Sequence, residues 1–221
     1  MTPDHLVLVV DDDYRVRESL QSLLAASDLH AVVFGSAAEY FAYPRPNVPA
    51  CLILDVGLPD INGLDLQEQI GKGYHPPIIF ITGRGDIPSS VRAIKAGALD
   101  FLTKPYSTDE LLRLVRAALV EDEGRRIRHA DLDRLQRRLQ LLTPREREVL
   151  PLVVSGLLNK QAAARLGISE VTFQIHRTNV MRKMEADSLA ELVRMAGSLE
   201  IPVGLGRHMQ SAPAGRECKP V

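Results

Sequence analysis

LVLVVDDD, residues 6–13, is a run of five apolar residues that ends in three acids. A continuous apolar run of strand length belongs to a strand buried on both faces, and such strands form parallel sheets covered by helices. Working outward, CLIL (Cys51–Leu54) and IIFIT (Ile78–Thr82) repeat the pattern, and Ala31–Phe34 and Leu99–Leu102 are shorter versions. Helix-like segments alternate with them. Tyr14–Leu29 carries Val16, Leu20, Leu23 and Leu24 at helical spacing, and Ser36 caps a short helix. Gly63–Ile70 turns Leu64 and Ile70 inward, Ile87–Ala96 follows Asp86 as N-cap, and Thr108–Val120 closes the series. Five strands alternating with five helices predict an α/β domain of flavodoxin-like (βα)5 architecture with a parallel five-stranded sheet.

The chain has 221 residues, room for two domains of ordinary size, with 45% hydrophobic and 25% charged residues. That balance excludes a disordered chain. No apolar run reaches the ~18 residues of a membrane helix, and the N-terminus shows no secretory pattern. The two cysteines, Cys51 and Cys218, are too few and too far apart for a disulfide framework and fit a reducing cytosol, so a cytoplasmic location with no membrane partner is expected. The net charge of -1 conceals a split: residues 1–124 hold 10 basic and 18 acidic side chains, residues 125–221 hold 17 and 10. Such asymmetry suggests two domains with different partners.

Asp11, Asp12 and Asp13 follow the first strand and Asp55 ends the third. In an open parallel sheet ligands bind beyond the carboxyl ends of the strands, where the strand order reverses, and strands one and three flank that point. Converging carboxylates repel unless a cation neutralises them, and an all-oxygen site suits Mg²⁺. Thr82 ends the fourth strand and Lys104 follows the fifth, so both reach the same rim. A metal, a lysine and a hydroxyl around one aspartate can neutralise and position a transferred phosphoryl group. Taken singly, the acids read equally as a solvated turn and Lys104 as a surface lysine.

Beyond Val120 the chain runs without proline to Gln140, and Leu132, Leu135, Leu139 and Leu142 step by 3, 4 and 3. This seam of about two heptads is too short for a stable coiled coil. It reads either as a linker packed on a neighbouring domain or as one that pairs with its copy, with Gly124 as a hinge. Thr143–Glu146 is a capping box with proline at its first helical position. Helices to about Ser155, over Asn159–Leu166, from Ser169 to Met184 and from Ser188 follow, broken at Gly156 and Gly167, which is the helix-turn-helix pattern. The division expected is 1–122 for the α/β domain, 123–142 for the helical linker, 143–200 for an all-α four-helix domain, and 201–221, rich in Pro and Gly, for a disordered tail.

Residues 4–122 resemble the receiver domain of two-component signalling through VVDDD (9–13), LILDVGLPDINGLDL (52–66), IFITGRGD (79–86) and AGALDFLTKP (96–105). The resemblance implies that Asp55 is the phosphoacceptor. It implies that Asp12, Asp55 and the backbone carbonyl of Gly57 hold Mg²⁺ directly, with Asp11 acting through water. Thr82 and Lys104 would contact the phosphoryl oxygens, the Lys104–Pro105 peptide would be cis, and Phe101 would act with Thr82 as a switch pair, its plainer alternative being a fixed core residue. Gly57 departs from the larger side chain usual at its position. Residues 143–198 resemble the LuxR/NarL-type DNA-binding domain through LTPREREVLPLVVSGLLNKQAA (142–163), LGISEVT (166–172) and IHRTNVMRKM (175–184). The combination looks most like the FixJ branch.

That resemblance places helix 170–184 in the major groove. Thr172, Gln174, Ile175, Arg177, Thr178 and Asn179 would face the DNA, and Lys160, Arg177, Arg182 and Lys183 would meet phosphates. Val171, Val180 and Met184 would face the core. Phe173 stands where Val is usual and Ala162 where Ile is usual, an exchange that conserves core volume. Gln174 replaces a common Lys, and His176 reads as a packing residue.

The function expected is a transcriptional response regulator. A partner histidine kinase phosphorylates Asp55, the face around Ile87–Ala96 and Leu111–Val115 then drives homodimerisation, and the dimer binds double-stranded promoter DNA and acts on RNA polymerase. The alternative is a phosphorylation-independent regulator whose receiver is a constitutive dimerisation or protein-binding module. An enzyme with its own substrate is not expected: aspartyl-phosphate hydrolases carry D-x-D-x-T, whereas Val56-Gly57-Leu58-Pro59 follows Asp55.

Overall fold

The computed structural model describes residues 3–44, 46–70, 75–83 and 87–202, with the helical backbone alone for 87–89. The residues divide into two compact units, 1–129 and 130–221. In the first, β1 (Leu6–Val10), β2 (Ala31–Phe34), β3 (Ala50–Asp55), β4 (Ile78–Thr82) and β5 (Asp100–Thr103) alternate with α1 (Tyr14–Ala26), α2 (Ala37–Ala42), α3 (Gly63–Ile70), α4 (Ile87–Lys95) and the first part of α5 (Thr108–Gln140), whose residues from 130 onward belong to the second unit. All strand pairs are parallel, in the order β2-β1-β3-β4-β5.

The alternation of side chains along a strand divides the apolar runs between two cores. Leu6, Leu8, Val10, Leu52, Leu54, Ile78 and Phe80 face α2, α3 and α4, where Tyr40, Leu66 and Ala93 meet them. Val7, Val9, Cys51, Ile53, Ile79 and Ile81 face α1 and α5, where Leu20, Leu24, Leu111 and Val115 meet them. Being buried among apolar side chains pushes the Cys51 thiol well above its ordinary range, with the nearby charge of Asp122 adding to that rise, so it remains protonated. Leu111 and Val115 are therefore core residues, which corrects their expected place on an outward face. Among the described residues of α4, Val91 and Ile94 are exposed.

β5 begins and ends one residue later than expected, at Asp100 and Thr103, with Asp100 paired to Ile79 as its first register partner. The expected cap at Asp86 and the tail beyond Pro202 lie outside the described residues. α5 passes through Gly124 without a break, so the hinge expected there is absent. Glycine inside a helix costs about 1 kcal/mol. Two i,i+4 ion pairs, Glu121–Arg125 at 2.7 Å and Asp122–Arg126 at 2.8 Å, span the position. Asp122 is fully buried and also accepts the Ala50 N–H at 2.8 Å, and Arg126 reaches Asn47 at 2.6 Å, so this part of α5 is fastened to the start of β3.

The second unit contains α6 (Pro144–Val154), α7 (Asn159–Leu166), α8 (Glu170–Met184) and α9 (Leu189–Ser198). Thr143 and Glu146 form the expected capping box, Gly167 ends α7 in the left-handed region at φ 65°, and Ser169 and Ser188 cap α8 and α9. Leu142, Val149, Leu150, Phe173, Val180, Met184 and Leu192 form the core, with Leu139 packed against it. The last two leucines of the seam are thus part of this unit. Phe173 and Ala162 are both fully buried in that core, as a volume exchange requires. Phe173→Val should lower stability by about 1–3 kcal/mol by leaving a cavity. Adding Ala162→Ile should recover part of the loss, and a double-mutant cycle in urea reads the coupling.

Candidate functional site

The carboxyl ends of β1 and β3 bring Asp11 and Asp55 to one rim, because β1 and β3 are neighbours with Val10 paired to Leu54. Asp11 has no exposed surface and Asp55 is 7% exposed. The Lys104 ammonium lies between them, donating to Asp11 Oδ2 at 2.8 Å and Asp55 Oδ1 at 3.1 Å. Lys104 is brought there by its own N–H, which bonds the Thr82 carbonyl at 2.7 Å, and the Lys104–Pro105 peptide is cis. Thr82 ends β4 at the same rim and is buried. Asp12 is exposed beside Asp11.

The loop after β3 is shaped by two glycines. A Cβ on Gly63 would come within 2.4 Å of the Asp55 carbonyl oxygen, so only glycine lets α3 start so close to the end of β3. The Gly57 N–H donates to Asp55 Oδ2 at 2.6 Å, and a Cβ there would stand 3.2 Å from that oxygen. Asp60 accepts the Ala37 N–H at 3.1 Å and ties this loop to the start of α2.

Burial pushes the Asp11 carboxyl above the usual carboxylate range, Asp55 adds to the rise, and the bonds from Lys104 and the Asp13 N–H offset it only in part. Burial acts to lower the Lys104 ammonium, but the two carboxylates outweigh it and hold the group above its ordinary value. Tyr106 is half-buried, and its hydroxyl is pushed up first by burial and then by Asp11 and Asp55, against Lys104. It belongs to the surroundings of the site, and no sequence signal separated it from an ordinary loop tyrosine. Phe101 is half-buried against the α2–α4 core, its ring centroid 6.2 Å from Phe80.

Among the described residues no three His, Cys, Asp or Glu side chains converge closely enough to hold a metal by themselves. The donors on the loops after β1 and β3, the carboxylates of Asp11, Asp12 and Asp55 and the backbone carbonyl of Gly57, are nonetheless all oxygen. That chemistry fits Mg²⁺, which retains several waters and takes one or two carboxylates.

On α8, Gln174, Thr178 and Arg182 are exposed and Ile175 is 57% exposed, one continuous stripe at helical spacing. Val171 extends it at 69% exposure, which corrects its expected place in the core: Phe173, Val180 and Met184 fill the inward face, and Val171 lies on the opposite one. Thr172 is half-buried and bonds Ser169 at the cap. Asn179 is half-buried, and Lys160 is exposed near the start of α7. Arg177 is partly buried and donates to Asn159 at 2.8 Å. Lys183 turns inward and donates to Glu146 at 2.7 Å, so in this structure it joins α8 to the first turn of α6 instead of pointing to solvent with the stripe. Arg138 pairs with Glu185, the left-handed cap of α8 at φ 54°.

Two family models match the chain: the response regulator receiver domain over residues 7–116 and the luxR family of bacterial regulatory proteins over residues 140–196. The chain is 48% identical over 197 residues to nodulation protein W of Bradyrhizobium diazoefficiens, covering 89% of this chain and 87% of that protein. It is 42% identical over 191 residues to the transcriptional regulatory protein FixJ of Azorhizobium caulinodans, covering 86% and 90%. The solved structure of the response regulator StyR matches with a TM-score of 0.75 at 42% identity, over 88% of this chain and 98% of that one. The chain belongs to the response regulators that join a receiver domain to a LuxR-type DNA-binding domain, and it is a transcriptional regulator of that family.

Two outcomes follow from the electrostatics. Lys104→Met should raise the Asp11 titration further, as read by carboxyl NMR in metal-free buffer. Burial acts to raise the Glu146 carboxyl, but the bonds from Lys183 and Thr143 outweigh it and hold the group below the usual range. Its contribution is therefore fully present above the ordinary glutamate range and lost as pH falls through its lower folded value. Glu146→Gln should lower the melting temperature of the second unit near neutrality, with the difference closing in acid.

Proposed function

We propose that Asp55 is the phosphoacceptor and that a histidine kinase is its donor. The observation that carries this reading is the Lys104 ammonium held between Asp11 and Asp55 at the carboxyl edge of the sheet. An Asp55 oxygen attacks the phosphorus of a phosphohistidine. The P–N bond breaks as the P–O bond forms, and the histidine ring, protonated at its other nitrogen, leaves as neutral imidazole. In the resting state Lys104 holds Asp55 Oδ1 and the Gly57 N–H holds Oδ2, which orients the nucleophile. As charge gathers on the transferring oxygens, Lys104 exchanges its carboxylate partners for one of them and the Thr82 hydroxyl donates to another. Asp11, Asp12, Asp55 and the Gly57 carbonyl would hold Mg²⁺, which supplies neutralising positive charge when bound. The chain turns over no separate substrate.

Thr82 and Phe101 carry the change to the face of α4 that exposes Val91 and Ile94, and the modified chain dimerises there. Dimerisation raises the effective concentration of the second DNA-binding unit. The stripe Val171, Gln174, Ile175, Thr178 and Arg182 enters the major groove, and Gln174 can bond adenine in two places. Thr172, Arg177, Asn179 and Lys160 border it, and Lys183 acts through Glu146. A two-fold dimer calls for two half-sites. The regulator acts in the cytoplasm, on promoter DNA and through RNA polymerase.

Sedimentation velocity of the full chain with Mg²⁺, with and without beryllofluoride, tests the reading. Wild type should pass from monomer to dimer on adding the mimic, and Asp55→Asn should remain monomeric. A dimer in every sample would support the constitutive module instead.

A further inference from the structure

The turn between β1 and α1 carries two of the acids of the site, and Arg17 of α1 reaches back into it. Its Nη1 donates to the Asp11 backbone carbonyl at 2.7 Å. That carbonyl lies one residue beyond the end of β1, where the strand ladder no longer supplies a partner for it. The guanidinium carbon lies 5.8 Å from the Tyr14 ring centroid, and the Gly35 backbone passes close enough that an added Cβ there would stand 3.5–3.7 Å from the guanidinium atoms. The rest of the turn follows from Asp11. Its Oδ1 accepts the Asp13 N–H at 2.8 Å, and Asp13 in turn accepts the Arg15 N–H at 2.8 Å as the N-cap of α1. Asp12 sits between two residues that are pinned in this way.

We infer that Arg17 is a positioning residue for the acidic site: by holding the Asp11 carbonyl it sets the directions of the Asp11 and Asp12 carboxylates towards a bound Mg²⁺. This rests on the metal-site reading given above. It acts through backbone geometry, and its sign separates it from a field effect. A cation beside a cation site repels the metal, so loss of the charge alone would tighten Mg²⁺ binding. Loss of the positioning bond weakens it, as removal of outer hydrogen-bond partners does at metal sites.

The test uses the full chain, ¹⁵N-labelled. Mg²⁺ is titrated by amide shifts of residues 11–13 and Gly57, and Asp13 amide exchange is measured without metal. Arg17→Ala should raise the Mg²⁺ concentration at half-saturation by about tenfold and speed Asp13 exchange. Arg17→Lys, which keeps the charge and one donor, should do so by less and guards against loss of folding in the alanine variant. Arg15→Ala, which removes an exposed charge, should leave binding unchanged or tighter. Unchanged or tighter binding in Arg17→Ala, with Asp13 still protected, would overturn the inference. A wild-type chain whose amides ignore millimolar Mg²⁺ would overturn the metal-site reading and with it the metal-directed role, whereas Asp13 exchange separately reports whether Arg17 orders the turn.

Discussion

Two carboxylates held almost out of water, with one ammonium between them, are the constraint on which the receiver unit depends. Burial is the larger cost: it pushes the Asp11 carboxyl up, and the repulsion from Asp55 adds to it. The parallel sheet can carry this arrangement because β1 and β3 are neighbours, covered on both faces and reversed in order at that point. The same arrangement ties distant parts of the chain together. Lys104 arrives from the carboxyl end of β5, its N–H anchored on Thr82, and Gly63 makes room for the start of α3 behind Asp55. One ammonium offsets only one of the two negative charges, so the resting site keeps a net negative charge.

The second unit answers a different demand. α8 must leave one face to a ligand while the other holds the helix in place. Phe173, Val180 and Met184 provide the hold, and polar bonds fix the rotation: Lys183 to Glu146, Arg177 to Asn159, and Arg138 to the cap at Glu185. Glu146 serves both the cap of α6 and the pair with Lys183, so the start of one helix and the end of another share a single carboxylate.

Much of this was legible in the residues. The strands, α3 and α7, the caps at Ser36, Thr143, Ser169 and Ser188, and the gathering of Asp11, Asp55, Thr82 and Lys104 at one edge follow from period, cap chemistry and strand order. Three features were not. Val171 and Ile175 repeat at one helical spacing and Phe173, Val180 and Met184 at another, so α8 offers apolar residues on more than one face. Leu111 and Val115 could be assigned to a helix but not to one of its sides. Asp122 looked like one more acid in a charged helix, yet it is buried because the start of β3 presents an N–H to it.

What the sequence determined by itself is local: the length and period of each element, where helices begin, and which chemical groups stand at strand ends. What the tertiary structure alone decided is rotation and partnership: which face of α8 is covered, that Lys183 turns inward, that α5 runs unbroken past Gly124, and that Arg17 closes on the Asp11 carbonyl. The reason is physical. A helix turns by about 100° per residue, so neighbouring faces differ by one or two side chains. The choice between them is made by the shape and the unpaired polar groups of whatever packs alongside, and those come from residues far away in the chain.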